Sequence, residues 1–187
     1  MIELRAWLRA LCNPTLAAGA PGPQILRFHL TSSDIKADGT VPMTHVFSGN
    51  GCTGQNLSPA LEWHNPPPGT RSFAVTCYDP DAPTGSGWWH WMVFDIPAGT
   101  NGLPRGAGSA GGGMPAGAIQ ARNDYGEAAY GGPCPPPGDK PHRYIFTVYA
   151  LKPGRLEVPH NASCAMVGFM INANKIDEAS FTATYGR

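Results

Sequence analysis

Charge is what this 187-residue chain has least of. Asp, Glu, Lys and Arg make up 14% of it and cancel to a formal net charge of zero, so it lacks the basic footprint of a nucleic-acid binder and any polybasic membrane anchor. Anion recognition, if present, must be local. No run of about 18 apolar residues occurs, which argues against a transmembrane helix. The cysteines, Cys12, Cys52, Cys77, Cys134 and Cys164, include no close pair, so a ribbon-type zinc site is excluded. Their odd number does not complete a disulfide framework, and the expectation is a reducing, cytoplasmic compartment. No internal repeat or long linker divides the chain, and one main domain is expected.

What the chain has in quantity is glycine and proline, 24 and 20 residues, with 42% hydrophobic residues. That composition excludes disorder and a helical bundle, and it favours short strands joined by many loops. Leu4, Trp7, Leu8 and Leu11 fall on one face of a short amphipathic helix over residues 2–11. A secretory signal is the alternative, since Ala18-Gly19-Ala20 mimics a cleavage site. Arg9, Asn13 and Pro14 interrupt the apolar region such a signal needs. On the first reading residues 1–23 form a helix and a Pro/Gly linker, and residues 24–187 form the domain. An exposed Trp7 and Leu8 hint at a homodimer; a periplasmic location follows if the segment is a signal.

Residues 78–91 organise the rest. They read Tyr-Asp-Pro-Asp-Ala-Pro-Thr-Gly-Ser-Gly-Trp-Trp-His-Trp, between an alternating strand over residues 72–78 and an aromatic strand over residues 89–96. Pro80 and Pro83 stiffen the connection. Asp79 therefore stands at a strand end, where it either caps a turn or serves a prebuilt site. His90 among tryptophans favours the site. A second loop, residues 130–144, combines Gly131 and Gly132 with Pro133, Pro135, Pro136 and Pro137; its paired glycines are expected to turn backbone N–H groups towards an anion. It leads into a strand over residues 144–151, with His142 at the strand's mouth.

Elsewhere, a strand is expected over residues 24–30 and a loop over residues 51–63 that launches a strand ending at Trp63. Residues 97–117 read as irregular. Within them, residues 106–111 match GxGxxG, but neither the strand nor the helix that would bind a pyrophosphate flanks them. Ser109 lacks the elbow of a hydrolase nucleophile. Residues 161–179 read as a helix with a Met166, Phe169 and Met170 core stripe, and residues 181–185 as a last strand.

With these motifs together, the chain resembles the phosphatidylethanolamine-binding protein family, also called Raf kinase inhibitor-like, and its bacterial branch most. Residues 52–63, 79–83 with 88–91, 131–144 and 185–187 carry the likeness. The resemblance implies a mainly β fold, with a central antiparallel sheet, a second smaller sheet, peripheral helices and a small anion pocket. It matches Asp79, His90 and His142 to the pocket's acid and two histidines, and Pro83, Trp88, Pro135 and Tyr144 to its lining. Cys134 stands where several relatives have glycine, so a thiol is expected beside the anion.

Two classes of function follow. The first is a non-catalytic module that binds a phosphate-containing small molecule, a phospholipid headgroup or a phosphoprotein segment and regulates a partner such as a kinase. The second is a small hydrolase using Asp79 and the histidines as an acid-base set or a metal site. The absence of an evident nucleophile or clustered metal motif favours binding, with no cofactor and no nucleic acid. Redox control through Cys52 and Cys134 is a third reading, open to geometry alone.

Overall fold

In the computed structural model the described residues are 26–159 and 161–187. The expected N-terminal helix lies outside them. The elements in chain order are β1 (His29–Thr31), a 3-10 turn (Met43–His45), β2 (Ser48–Gly49), β3 (Cys52–Thr53), β4 (Leu61–His64), β5 (Ser72–Asp79), β6 (Trp88–Pro97), β7 (Gly102–Leu103), β8 (Ile119–Gln120), β9 (His142–Leu151), α1 (Cys164–Asn174) and β10 (Lys175–Tyr185). Five strands form a central antiparallel sheet in the order β10-β9-β5-β6-β8. A second sheet has the order β1-β4-β7, and β2 pairs with β3. The mainly β architecture with a smaller second sheet is thus as expected.

Both faces of the central sheet are covered, so its middle strand, β5, is buried almost throughout rather than on alternate residues. Phe73, Val75 and Cys77 turn to one face, where Trp91, Val93, Phe146 and Val148 meet Leu61, Trp63 and Leu103 of the second sheet. Ala74, Met92 and Phe94 turn to the other and pack on Cys164, Val167 and Ile171 of α1. Those three helix residues recur at helical spacing, and the Ser163 side chain caps the start by accepting from the Met166 N–H.

Three sequence expectations need correction here. Met166 and Phe169, read as part of a core stripe, are exposed, and Cys164, Val167 and Ile171 form the buried face of the helix instead. The helix expected over residues 161–179 stops at Asn174, and the chain passes directly into β10, which pairs with β9 along its whole length. The open edge of β9 outweighs the local helical tolerance of Lys175 to Ala179, as tertiary pairing commonly does. Among the described residues the first strand is His29–Thr31, later than the expected 24–30, and its extent matches the three β4 residues it pairs with, Glu62, Trp63 and His64.

Phe146 is fully buried and stacks on Phe181 at 5.1 Å, joining β9 to β10. Phe146→Ala is expected to cost about 3–5 kcal/mol. Urea denaturation measures this directly.

Candidate functional site

Three neighbouring strands deliver their ends to one place. β5 finishes at Asp79, β6 begins at Trp88, and β9 begins at His142, so antiparallel pairing brings these residues to one rim of the sheet. The β5-β6 register slips between Cys77 and Tyr78: Cys77 pairs with Trp91 but Tyr78 pairs with Trp89. His90 is the extra residue of a β-bulge, a device that bends a strand and re-aims a side chain. It lets Trp89 pack towards the helix side while His90 joins Asp79 and Tyr144 on the opposite face.

The cavity there, about 210 Å³, is lined by all the residues expected, Asp79, Pro83, Trp88, His90, Cys134, Pro135, His142 and Tyr144. Asn50, Thr84 and Tyr125 line it as well. Asp79 is buried and its hydrogen bonds are accounted for. Its Oδ1 accepts from the N–H groups of Asp81 and Ala82, and its Oδ2 accepts from His142 Nδ1 at 2.8 Å. Turn-capping and site-building are therefore one job for this carboxylate. Asp81, in contrast, turns to the Arg143 guanidinium, which holds its carboxyl down at about 2.

His90 is fixed from the other side. Its Nδ1 lies 2.7 Å from the Gly131 carbonyl oxygen, which can only accept, so Nδ1 carries the proton. The Gly131 N–H donates back to the His90 carbonyl at 2.9 Å. In the neutral ring Nε2 is then bare, 4.0 Å from Asp79 Oδ2. Burial disfavours the imidazolium and outweighs the Gly131 bond and the Asp79 charge, holding His90 below its ordinary value of 6.5, at about 4.

Two donors remain unused. Trp88 Nε1 and the Tyr144 hydroxyl are buried and have no hydrogen-bond partner among the described residues. Burial, reinforced by the nearby Asp79 charge, pushes the Tyr144 phenol up, so it stays a donor. Buried polar groups left without partners are uncommon, and both of these belong to residues that line the cavity.

The glycine pair does something other than expected. Gly131 N–H is spent on His90 and Gly132 N–H on Asn56 Oδ1 at 2.7 Å, so neither is free for an anion. Their need is steric. A Cβ on Gly131 would lie 2.4 Å from the Tyr125 ring, and one on Gly132 would lie 2.1 Å from the His45 carbonyl oxygen. Tyr125, which was not singled out from the sequence, stacks on Phe47 at 4.1 Å and meets the edges of Trp88 and His90. Only its place beside Asn123, whose amide ties the loop to the His90 carbonyl, could have marked it.

The question that geometry left open at Cys134 is answered: it forms a disulfide with Cys52, their Cα atoms 6.0 Å apart and within the reach a bridge needs, so no thiol borders the cavity there. The bridge joins the β2-β3 hairpin to the pocket wall across 82 residues of sequence. Arg187 repeats the tie without covalent chemistry, donating to the carbonyl oxygens of Pro135 and Asn50. No group of three or more metal-ligating side chains occurs among the described residues.

Two outcomes follow from this geometry. The His90 value is lower in the folded protein than in the unfolded chain, so the unfolded state takes up the proton first. Stability should fall on the order of 1 kcal/mol per pH unit as pH drops from about 6.5 towards 4. In His90→Asn, this part of the slope should vanish from urea-denaturation midpoints. Reducing the disulfide should lower stability by about 2–4 kcal/mol, read from the same denaturation with and without dithiothreitol.

Comparison with known proteins agrees with this architecture. The phosphatidylethanolamine-binding protein family model matches residues 31–186. The chain is 55% identical over 163 residues to the UPF0098 protein YbcL of Escherichia coli, covering 87% of this chain and 89% of that protein. It is 51% identical over 156 residues to YbhB of the same organism, covering 83% and 98%. The crystal structure of E. coli YbcL aligns with a TM-score of 0.83 over 86% of this chain and 98% of that one. A homologue from Chlamydia trachomatis gives 0.72 at 27% identity, over 86% and 97%. With its sheet order and these matches in agreement, the chain belongs to the phosphatidylethanolamine-binding protein family.

Proposed function

We propose that the protein is a binding module that holds a small phosphate-bearing anion in the cavity between Asp79, His90, His142 and Tyr144. The observation that carries this is the pair of buried donors, Trp88 Nε1 and the Tyr144 hydroxyl, beside the same cavity without protein partners. An oxyanion supplies two acceptors at once. The rigid lining of Pro83, Pro135 and Pro136 shapes the space without adding donors.

The family's own description names a phospholipid, whose headgroup offers phosphate oxygens of this kind. On this reading the phosphate belongs to a small molecule, a headgroup or a phosphorylated segment of a partner, and its capture regulates that partner. The functional groups of the site are committed to holding one another: Asp79 to His142 and two backbone N–H groups, His90 to Gly131. That arrangement supports recognition over turnover. The Cys52–Cys134 disulfide supports an oxidising compartment, hence the periplasmic alternative over the cytoplasmic one.

Titration with inorganic phosphate, followed by ¹⁵N NMR, tests the proposal. The Trp88 indole N–H and the ring signals of His90 and His142 should shift saturably. Tyr144→Phe should weaken binding roughly ten- to hundredfold, the worth of one hydrogen bond to a charged group. Signals that stay unmoved at all three residues would refute anion binding in this cavity.

A further inference from the structure

The unused donors explain how the cavity meets a negatively charged oxygen, but they are only part of its wall. Between them stands an acceptor. His90 Nδ1–H is committed to the Gly131 carbonyl, which leaves the Nε2 lone pair towards the cavity and Asp79. Around this ring the charged and titratable groups are Asp79 from β5, His142 and Tyr144 from β9, and Asp124 and Tyr125 from the loop after β8. The nearest full charge is the Asp79 carboxylate, which is buried and accepts two N–H donors on Oδ1 and His142 Nδ1 on Oδ2. It keeps at most one acceptor position on Oδ2, beside His90 Nε2, and its charge opposes a dianion.

A fully deprotonated oxyanion meets this wall badly. It sets an oxygen lone pair against the Nε2 lone pair, and its second charge faces Asp79. A phosphodiester has one charge but no hydroxyl, so it leaves Nε2 unsatisfied in a buried site. A phosphomonoester or inorganic phosphate in its monoanionic form fits. Its charged oxygens accept from Trp88 Nε1 and the Tyr144 hydroxyl, and its P–OH donates to His90 Nε2.

We infer, resting on the anion-binding reading above, that the cavity selects phosphoryl groups that carry a proton, and so takes terminal phosphomonoesters in preference to phosphodiesters and sulfate. The proton is shared between the phosphoryl oxygen and His90 Nε2, and one proton accompanies each ligand into the complex. Burial of the ring, which keeps the empty site in its neutral form, is what makes the lone pair available. Phosphodiester lipids are accordingly weaker occupants than free or small-molecule phosphomonoesters.

Two isomeric probes isolate the proton. Ethyl phosphate and dimethyl phosphate have the same atoms and, at about pH 5, below the monoester's second pKa near 6, the same single charge. They differ in the P–OH group. Calorimetric titration of the full chain with each, and with sulfate, should give affinity roughly ten- to hundredfold higher for ethyl phosphate than for the other two. His90→Gln, whose amide can donate as well as accept, should narrow that preference; because the variant bears on the buried ring, the wild-type comparison stands by itself. Equal affinity for the three probes overturns the proton selection and leaves an anion pocket in place. Failure of all three, with inorganic phosphate also failing, overturns the anion-binding reading beneath it.

Discussion

The hydrogen bond from His90 Nδ1 to the Gly131 carbonyl fixes the chemistry of this pocket. It sets the tautomer of a buried imidazole and so decides that the cavity wall shows a lone pair. The bond exists because a bulge in β6 turns His90 out of simple alternation, and because residue 131 has no side chain to keep the loop away from Tyr125. Asn123 holds the same meeting point from behind, donating to the His90 and Ala129 carbonyls while accepting from Tyr125 and Glu127. A single backbone oxygen thus connects strand register, loop packing and the face that the His90 ring shows the cavity.

The opposite side is organised by the same economy. Asp79 arrests the turn after β5 with one oxygen and orients His142 with the other, so one carboxylate builds both the turn and the rim of the cavity. The loop walls are held by the Cys52–Cys134 bridge and by Arg187 at the chain's end, which reaches back to Pro135 and Asn50. A cavity so framed before any ligand arrives loses little conformational entropy on binding. Preorganisation also explains why two buried donors can be held without partners: packing around Trp88 and Tyr144 leaves them nowhere else to turn.

Much of this was legible in the sequence, and what was not has physical causes. Asp79, His90 and His142 stood out because acids and imidazoles at strand mouths are chemically conspicuous, and the structure brings all three together. The strands read over residues 72–78 and 144–151 were plain from their β-branched and aromatic residues, and the structure extends them only to Asp79 and back to His142. The disulfide was open as a geometric question but not expected, since a sequence separation of 82 hides the proximity of Cys52 and Cys134. Gly131 and Gly132 were read as an anion cradle because glycine is consistent with exposed N–H groups and with close packing alike; only tertiary contacts separate the two. Tyr125 had no local signal, and the length of β10 depended on a partner strand far away in sequence.

The most direct test of the account is the protonation of the His90 ring in the unliganded protein, read from long-range ¹H–¹⁵N correlations of the imidazole at neutral pH. The account predicts a neutral ring with the proton on Nδ1 and an unprotonated, pyridine-like Nε2. A proton found on Nε2, or an imidazolium, would contradict it, because the cavity would then offer a donor at that point and have no need of a ligand that brings its own proton.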